Sequence, residues 1–216
     1  MRKTVQIEVP TTWKDINLKQ YLALMSDLEN YKEDEEAQTA LMLHHLCGLD
    51  AHQIQAVSKD GYDLLRQKLG SFIQPDGIPL QKFITIDGVE YGFEPNLSKM
   101  SYGAYADITQ YETITIDKNW GKIMSILYRP VTKKVGDTYS IKEYEGNIDE
   151  TLWLKQNMEL HWGALFFFVH LQMDLLKGIL KSLKAEELHP SIKSVLEKSG
   201  ELMQQSWNSQ MVTFLK

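Results

Sequence analysis

Six histidines and one cysteine are the residues of this chain best suited to hold a metal or to act as nucleophile and base. Their spacing decides whether they can. His44 and His45 are adjacent, so on a helix their side chains point about 100° apart and cannot close on one ion together. His44 and Cys47 stand three apart and could offer two ligands from one face, but the other thiolates and imidazoles of a closed zinc site are missing. His161 and His170 are nine apart, on different parts of one expected helix, and no H-E-x-x-H pattern occurs. All of these read as satisfied or half-buried histidines. Cys47 falls in an apolar stripe, where a thiol is raised in pKa and inert. No G-x-S-x-G elbow, glycine-rich phosphate loop or dinucleotide fingerprint is present. The run Glu33, Asp34, Glu35, Glu36 reads as a polar, solvated helix start, whereas acid–base carboxylates must be buried and converge. No catalytic, cofactor or metal site is therefore expected.

The elements that carry these residues are mostly helical. Val5, Ile7 and Val9 alternate with polar neighbours and predict an N-terminal strand over Lys3 to Val9, ended by Pro10. Asn17 is placed to cap a helix bearing Leu18, Tyr21, Leu22, Met25 and Leu28. The acidic run opens a second helix, stopped at Gly48. Two shorter helices fit Ala51 to Val57 and Asp60 to Ile73, the second with Tyr62, Leu65, Leu69 and Phe72 as its stripe. Pro75, Asp76, Gly77 and Pro79 then mark a boundary. Ile84 and Ile86 alternate before Asp87-Gly88, and Val89, Tyr91 and Phe93 after it, which predicts a tight hairpin over 83–93. Helices are expected over Ser101 to Tyr111 and Asn119 to Tyr128, the latter ended by Arg129-Pro130, and a second ribbon over Val131 to Ile141. Residues 160–180 carry two apolar stripes, one through Leu160, Ala164 and Phe168, the other through Trp162, Phe166 and Met173. A helix apolar on two faces is buried on both, by its own fold or by a partner.

The fold class that follows is mainly α with small β-hairpins (α+β): a helical, bundle-like core with the N-terminal strand and the 83–93 hairpin. Its parts divide into residues 1–74 and 80–216, which can also pack as one domain. Apolar residues at 43% and charged residues at 24% are globular values. The net charge of -6 and the lack of a basic cluster argue against nucleic acid as partner. One cysteine fits a reducing compartment. Leu160 to Leu176 is interrupted by His161, His170, Gln172 and Asp174, a poor membrane span, so a soluble cytoplasmic chain is expected.

What remains is surface for partners. A last helix is expected from Pro190. Beyond Gly200, Met203, Trp207, Met211 and Phe214 recur at steps of four, four and three and form the candidate partner-binding face.

Several stretches carry a family resemblance: Ile16-Asn17-Leu18-Lys19-Gln20-Tyr21, Phe93-Glu94-Pro95-Asn96-Leu97-Ser98, Ser101 through Asp107, Ile126-Leu127-Tyr128-Arg129-Pro130-Val131, Tyr139-Ser140-Ile141 with Tyr144-Glu145-Gly146, and Gly163 to Phe168. Across roughly residues 13 to 183 they resemble proteins of tailed-bacteriophage structural gene clusters, tail assembly chaperones or uncharacterised virion-assembly proteins. The resemblance implies a non-enzymatic, largely helical protein of the host cytoplasm. Such a protein would escort apolar segments of a tape-measure or tail-tube partner, and would itself form homo-oligomers. Its rivals are a permanent virion component (a ring, connector or internal protein) and, from another class, a small hydrolase or metalloprotein using His44, Cys47 or the acidic run. The terminal stripe lies outside the matched stretches. If it is a docking face, truncation after Gly200 leaves a chain with full helical circular dichroism that no longer associates; loss of folding would make the segment core.

Overall fold

Short-range capping chemistry fixes most element boundaries. The computed structural model of the chain describes residues 7–71, 77–111 and 114–182. They divide into two units interleaved in sequence: one takes 12–23 and 77–165, the other takes 24–76 with the stretches before 12 and after 165. The class is mixed α+β, helices with a four-stranded antiparallel sheet.

The first of these units opens with a 3-10 turn, Trp13–Asp15, closed by reciprocal bonds between Thr12 and Asp15. Helix α1 (Leu18–Leu28) follows. Its Asn17 accepts from the Gln20 amide at 2.9 Å while the Gln20 side chain accepts from the Asn17 amide at 3.0 Å, a capping box that satisfies two otherwise orphaned donors. Trp13, Tyr21 and Trp162 then meet edge to face, with ring centroids 5.4–6.1 Å apart.

The sheet of this unit runs β1 (Phe83–Ile86), β2 (Val89–Phe93), β3 (Tyr128–Val135), β4 (Thr138–Ile141), each strand beside the next. Asp87 and Gly88 both take positive φ, 49° and 80°, as the two-residue turn between β1 and β2 demands. Between β2 and β3 come helices α5 (Tyr102–Thr109) and α6 (Trp120–Leu127). Ser101 caps α5 through the Ala104 amide, and six of the eight residues of α6 are buried. After β4 the short helix α7 (Thr151–Leu154) leads to α8 (Met158–Ser182). The starts of α1 and α8 are tied by main chain: Leu18 donates to Gln156 at 3.0 Å and Met158 donates to Ile16 at 2.8 Å.

In the other unit, α2 (Glu35–Cys47) begins at Asp34, which accepts from the Ala37 amide, and ends at Gly48 with φ of 69°. Gln38 is buried and its amide group closes the preceding loop on the carbonyls of Tyr31 and Lys32. Helices α3 (Ala51–Ala56) and α4 (Lys59–Gly70) are capped by Asp50 and Ser58, and α4 buries Leu65 and Leu69.

Three expectations change. Ile7–Val9 forms no strand, and the rest of the expected N-terminal strand lies outside the described residues. Helix α6 does end at Leu127, before Arg129-Pro130, but Tyr128-Arg129-Pro130 then opens β3, ahead of the ribbon expected from Val131. Tyr128 and Arg129 pair with Phe93 and Gly92, and this tertiary pairing draws the residues after the helix stop into the strand. The two ribbons are joined by that same pairing into one sheet. In α1 the buried set includes Leu24, while Leu22 and Met25 are half-buried. In α8 the first stripe is buried at Leu160, Ala164 and Phe168, whereas in the second Trp162 is buried and Phe166, Val169 and Met173 are half-buried; beyond Phe168, Leu171 (36%) and Leu175 (59%) open to solvent. Phe72, Ile73 and the expected helix from Pro190 lie outside the described residues.

Gly163 marks the closest approach in the sheet-containing unit: a Cβ there would sit 2.4 Å from the Pro79 carbonyl oxygen. Backbone cannot yield as a flexible side chain can. Gly163→Ala is expected to destabilise by about 1–3 kcal/mol, read as a lower urea midpoint; an unchanged midpoint would contradict this contact.

Candidate functional site

The polar groups best placed for chemistry gather in the sheet-containing unit, and each is engaged by a neighbour. His161 is fully buried on α8. Trp120 Nε1–H donates to its Nδ1 at 3.2 Å, so the ring proton sits on Nε2, which donates to the Trp153 carbonyl at 3.1 Å. Burial pushes this imidazole down to about 3, against the opposing effect of its backbone partners at Trp153 and Gln156. It is neutral at physiological pH, with both nitrogens occupied. That leaves it unable to act as a base or a ligand without breaking the core.

Glu94, at the end of β2, forms an ion pair with Arg129 of β3, their side chains only 9% and 11% exposed. Arg129 Nε is buried with no hydrogen-bond partner among the described residues, a further cost of enclosing the pair. The guanidinium carbon lies 6.0 Å from the ring centroid of Tyr144, whose hydroxyl donates to Asp107 on α5. Burial and the Asp107 bond raise the Tyr144 phenol above its ordinary range. Tyr139 donates to the Phe93 carbonyl at 2.6 Å, and Tyr128 to the Gln81 carbonyl at 2.7 Å; burial raises both phenols. A Cβ on Gly92 would come within 3.1 Å of Tyr139, Ile141 and Val131, so only glycine lets β2 pass under those side chains.

Glu94, Asp107, Arg129 and Tyr144, far apart in sequence, form one chain of contacts. Arg129 is neutralised, the phenols stay protonated and Asp107 accepts a hydrogen bond. The arrangement holds strands and helix together and offers no free acid, base or nucleophile.

The residues singled out for metal or nucleophilic chemistry lie in the other unit. His44 Nδ1 donates to the Leu49 carbonyl at 2.7 Å, and His45 Nε2 lies 2.7 Å from Asp27. Cys47 is half-buried and burial pushes its thiol up to about 11. Asp34 caps α2, and Glu35 reaches Arg66 at 2.6 Å on the surface. Among the described residues no three His, Cys, Asp or Glu side chains converge to hold a metal ion. His170 donates to the Phe166 carbonyl one turn back at 2.8 Å. The partner-binding candidates Met203, Trp207, Met211 and Phe214 lie outside the described residues. Trp13, Trp120, Trp153 and Trp162 are all core.

Spacing gives no sign that Glu94 and Arg129 are partners, since 35 residues separate them. A lone histidine inside an apolar run was the available signal for His161. Compared with known family models, curated proteins and solved structures, the chain matches none.

The unfolded chain protonates His161 near 6.5 and the folded chain only near 3. Its contribution to stability is complete above the first value and is lost as pH falls through that window. The slope is about 1.4 kcal/mol per pH unit. His161→Gln is expected to lower stability at pH 7 and to flatten the dependence between pH 6 and 4, measured by urea titration. Parallel curves for the two proteins would remove this role.

Proposed function

We propose that the chain is a non-enzymatic bacteriophage assembly protein of the tail-assembly-chaperone kind, binding apolar segments of a tape-measure or tail-tube partner in the host cytoplasm. The observation that carries the reading is the outer half of α8, where Leu171 and Leu175, one turn apart, stand open to solvent although the same helix is core up to Phe168. Apolar side chains continued beyond the core at helical spacing are what a chaperone needs to meet a partner's apolar segment. The engagement of His161, Arg129, Glu94, Tyr144 and Asp107 in structural bonds supports the non-enzymatic part. The resemblance supplies the class of partner. Among the described residues no helix is long and apolar enough to cross a membrane.

Co-expression of the full chain with the tape-measure protein is expected to raise the soluble fraction of that partner and to give a co-eluting complex. Leu171→Asp with Leu175→Asp is expected to weaken it by roughly tenfold or more, as loss of an apolar anchor does. A partner equally insoluble with and without the chain would refute the reading. Mass spectrometry of purified virions separates the rival: absence fits an escort, whereas a fixed copy number makes the chain a permanent component.

A further inference from the structure

The strand order β1-β2-β3-β4 leaves two edges, and ladder geometry fixes which main-chain groups each edge turns outward. Phe93 N–H donates to the Lys82 carbonyl at 2.9 Å, and Ile86 closes the two-residue turn opposite Val89. Bonded residues alternate along an antiparallel ladder, so Lys82, Ile84 and Ile86 face β2. Phe83 and Thr85 therefore aim their N–H and C=O groups away from the sheet. Among the described residues no other main-chain group bonds to them, and Thr85 is exposed. The edge is held firmly from within: Lys134 Nζ lies 3.6 Å from the Phe83 ring centroid, and Tyr139 meets that ring edge to face at 4.6 Å.

Bare N–H and C=O groups recruit another strand, and proteins blunt such edges with lysine, proline or a bulge. Strand β1 has none of these: Phe83-Ile84-Thr85-Ile86 is uncharged and built of strand-forming residues. A second copy satisfies it in full. With Phe83 opposite Thr85 of the other copy and the two Ile84 residues on a two-fold axis, four main-chain bonds use every outward group of both strands. The same register stands Lys82 of each copy one residue from Asp87 of the other, a favourable meeting of opposite charges. Neither is ion-paired with a described residue of its own chain. At β4 the outcome reverses. Lys142 N–H donates to the Pro130 carbonyl at 2.8 Å, so Tyr139 and Ile141 turn outward, and their two-fold register sets Asp137 against Glu143. A register shift between Val131 and Lys133 also bends that ribbon.

We propose that the β1 edge is a self-association surface, through which two copies pair antiparallel along Phe83–Ile86 and join their sheets into one. Four residues a side make a small interface against the roughly 1,600 Å² of a standard one, so the dimer is reversible and concentration-dependent. The inference goes beyond the assembly reading and does not rest on it.

Sedimentation velocity of the full chain across a concentration series is expected to show a monomer–dimer equilibrium. Thr85→Pro removes an outward N–H and no bond of the β1–β2 ladder, since proline is tolerated on an edge strand. It is expected to weaken the dimer by about tenfold or more with an unchanged urea midpoint. Lys82→Glu is expected to weaken it too, through charge alone. Ile84→Cys in a Cys47→Ser background gives a second readout should the proline variant misfold. Opposed Cα atoms at such a position lie about 4.5 Å apart, within disulfide reach. Mild oxidation is therefore expected to cross-link this variant and not the exposed β4 control Thr138→Cys in the same background. A chain monomeric at every concentration, a dimer indifferent to both edge variants, or equal cross-linking at β4 overturns the proposal. A monomeric chain whose Thr85→Pro variant no longer brings the tail partner into solution also overturns it, with a partner's strand as the occupant. If the dimer forms through β1 while the tail partner stays insoluble, the assembly reading falls and this surface stands.

Discussion

A buried imidazole holds the sheet-containing unit together. His161 accepts from the Trp120 indole and donates to the Trp153 carbonyl, so one neutral side chain joins α6, the turn of α7 and the start of α8. The geometry works in one tautomer only. A proton on Nδ1 would face the indole N–H, and a second proton would put a charge in a site lined by rings and aliphatic chains. Trp120, Trp153, Ile123, Met124 and Leu160 pack to near-complete burial in the same unit, which explains both the depressed pKa and its tolerance. Leaving either partner unpaired there costs about 1–3 kcal/mol.

The same logic runs through the rest of the unit. Glu94 and Arg129 lie between β2 and β3, and removing either would strand a buried charge at a cost of about 3–5 kcal/mol. Tyr144 joins the segment after β4 to α5 through Asp107, and Tyr139 fixes β4 over the end of β2. Side chains that elsewhere perform acid–base chemistry are here the fasteners of a scaffold. Aromatic side chains stand at the surface of α5, and aliphatic ones at the outer part of α8.

Local chemistry was legible in the sequence where it acts over a few residues. Asp87-Gly88 fixed the hairpin, Asn17 the start of α1, and Gly48 the end of α2, because each satisfies a backbone requirement within one turn. Long-range pairing was not legible. Tyr128-Arg129-Pro130 carries a helix-stop signal, and only the presence of β2 as a neighbour makes it a strand. Ile7 and Val9 alternate yet form no strand among the described residues, because period-two spacing alone does not make one without a partner strand. His161 was visible only as a histidine in an apolar run. Its role depends on indole and carbonyl groups 41 and 8 residues away.

His161 is a structural group, locked in a single neutral form. Nitrogen-15 NMR of the imidazole rings of the full chain, followed from pH 7.5 to 5, reads this directly. The account predicts one ring with a protonated Nε2, an unprotonated hydrogen-bonded Nδ1 and no titration across the range, assigned by its loss in His161→Gln. A His161 ring that titrates near 6.5, or that exchanges between tautomers, would contradict it.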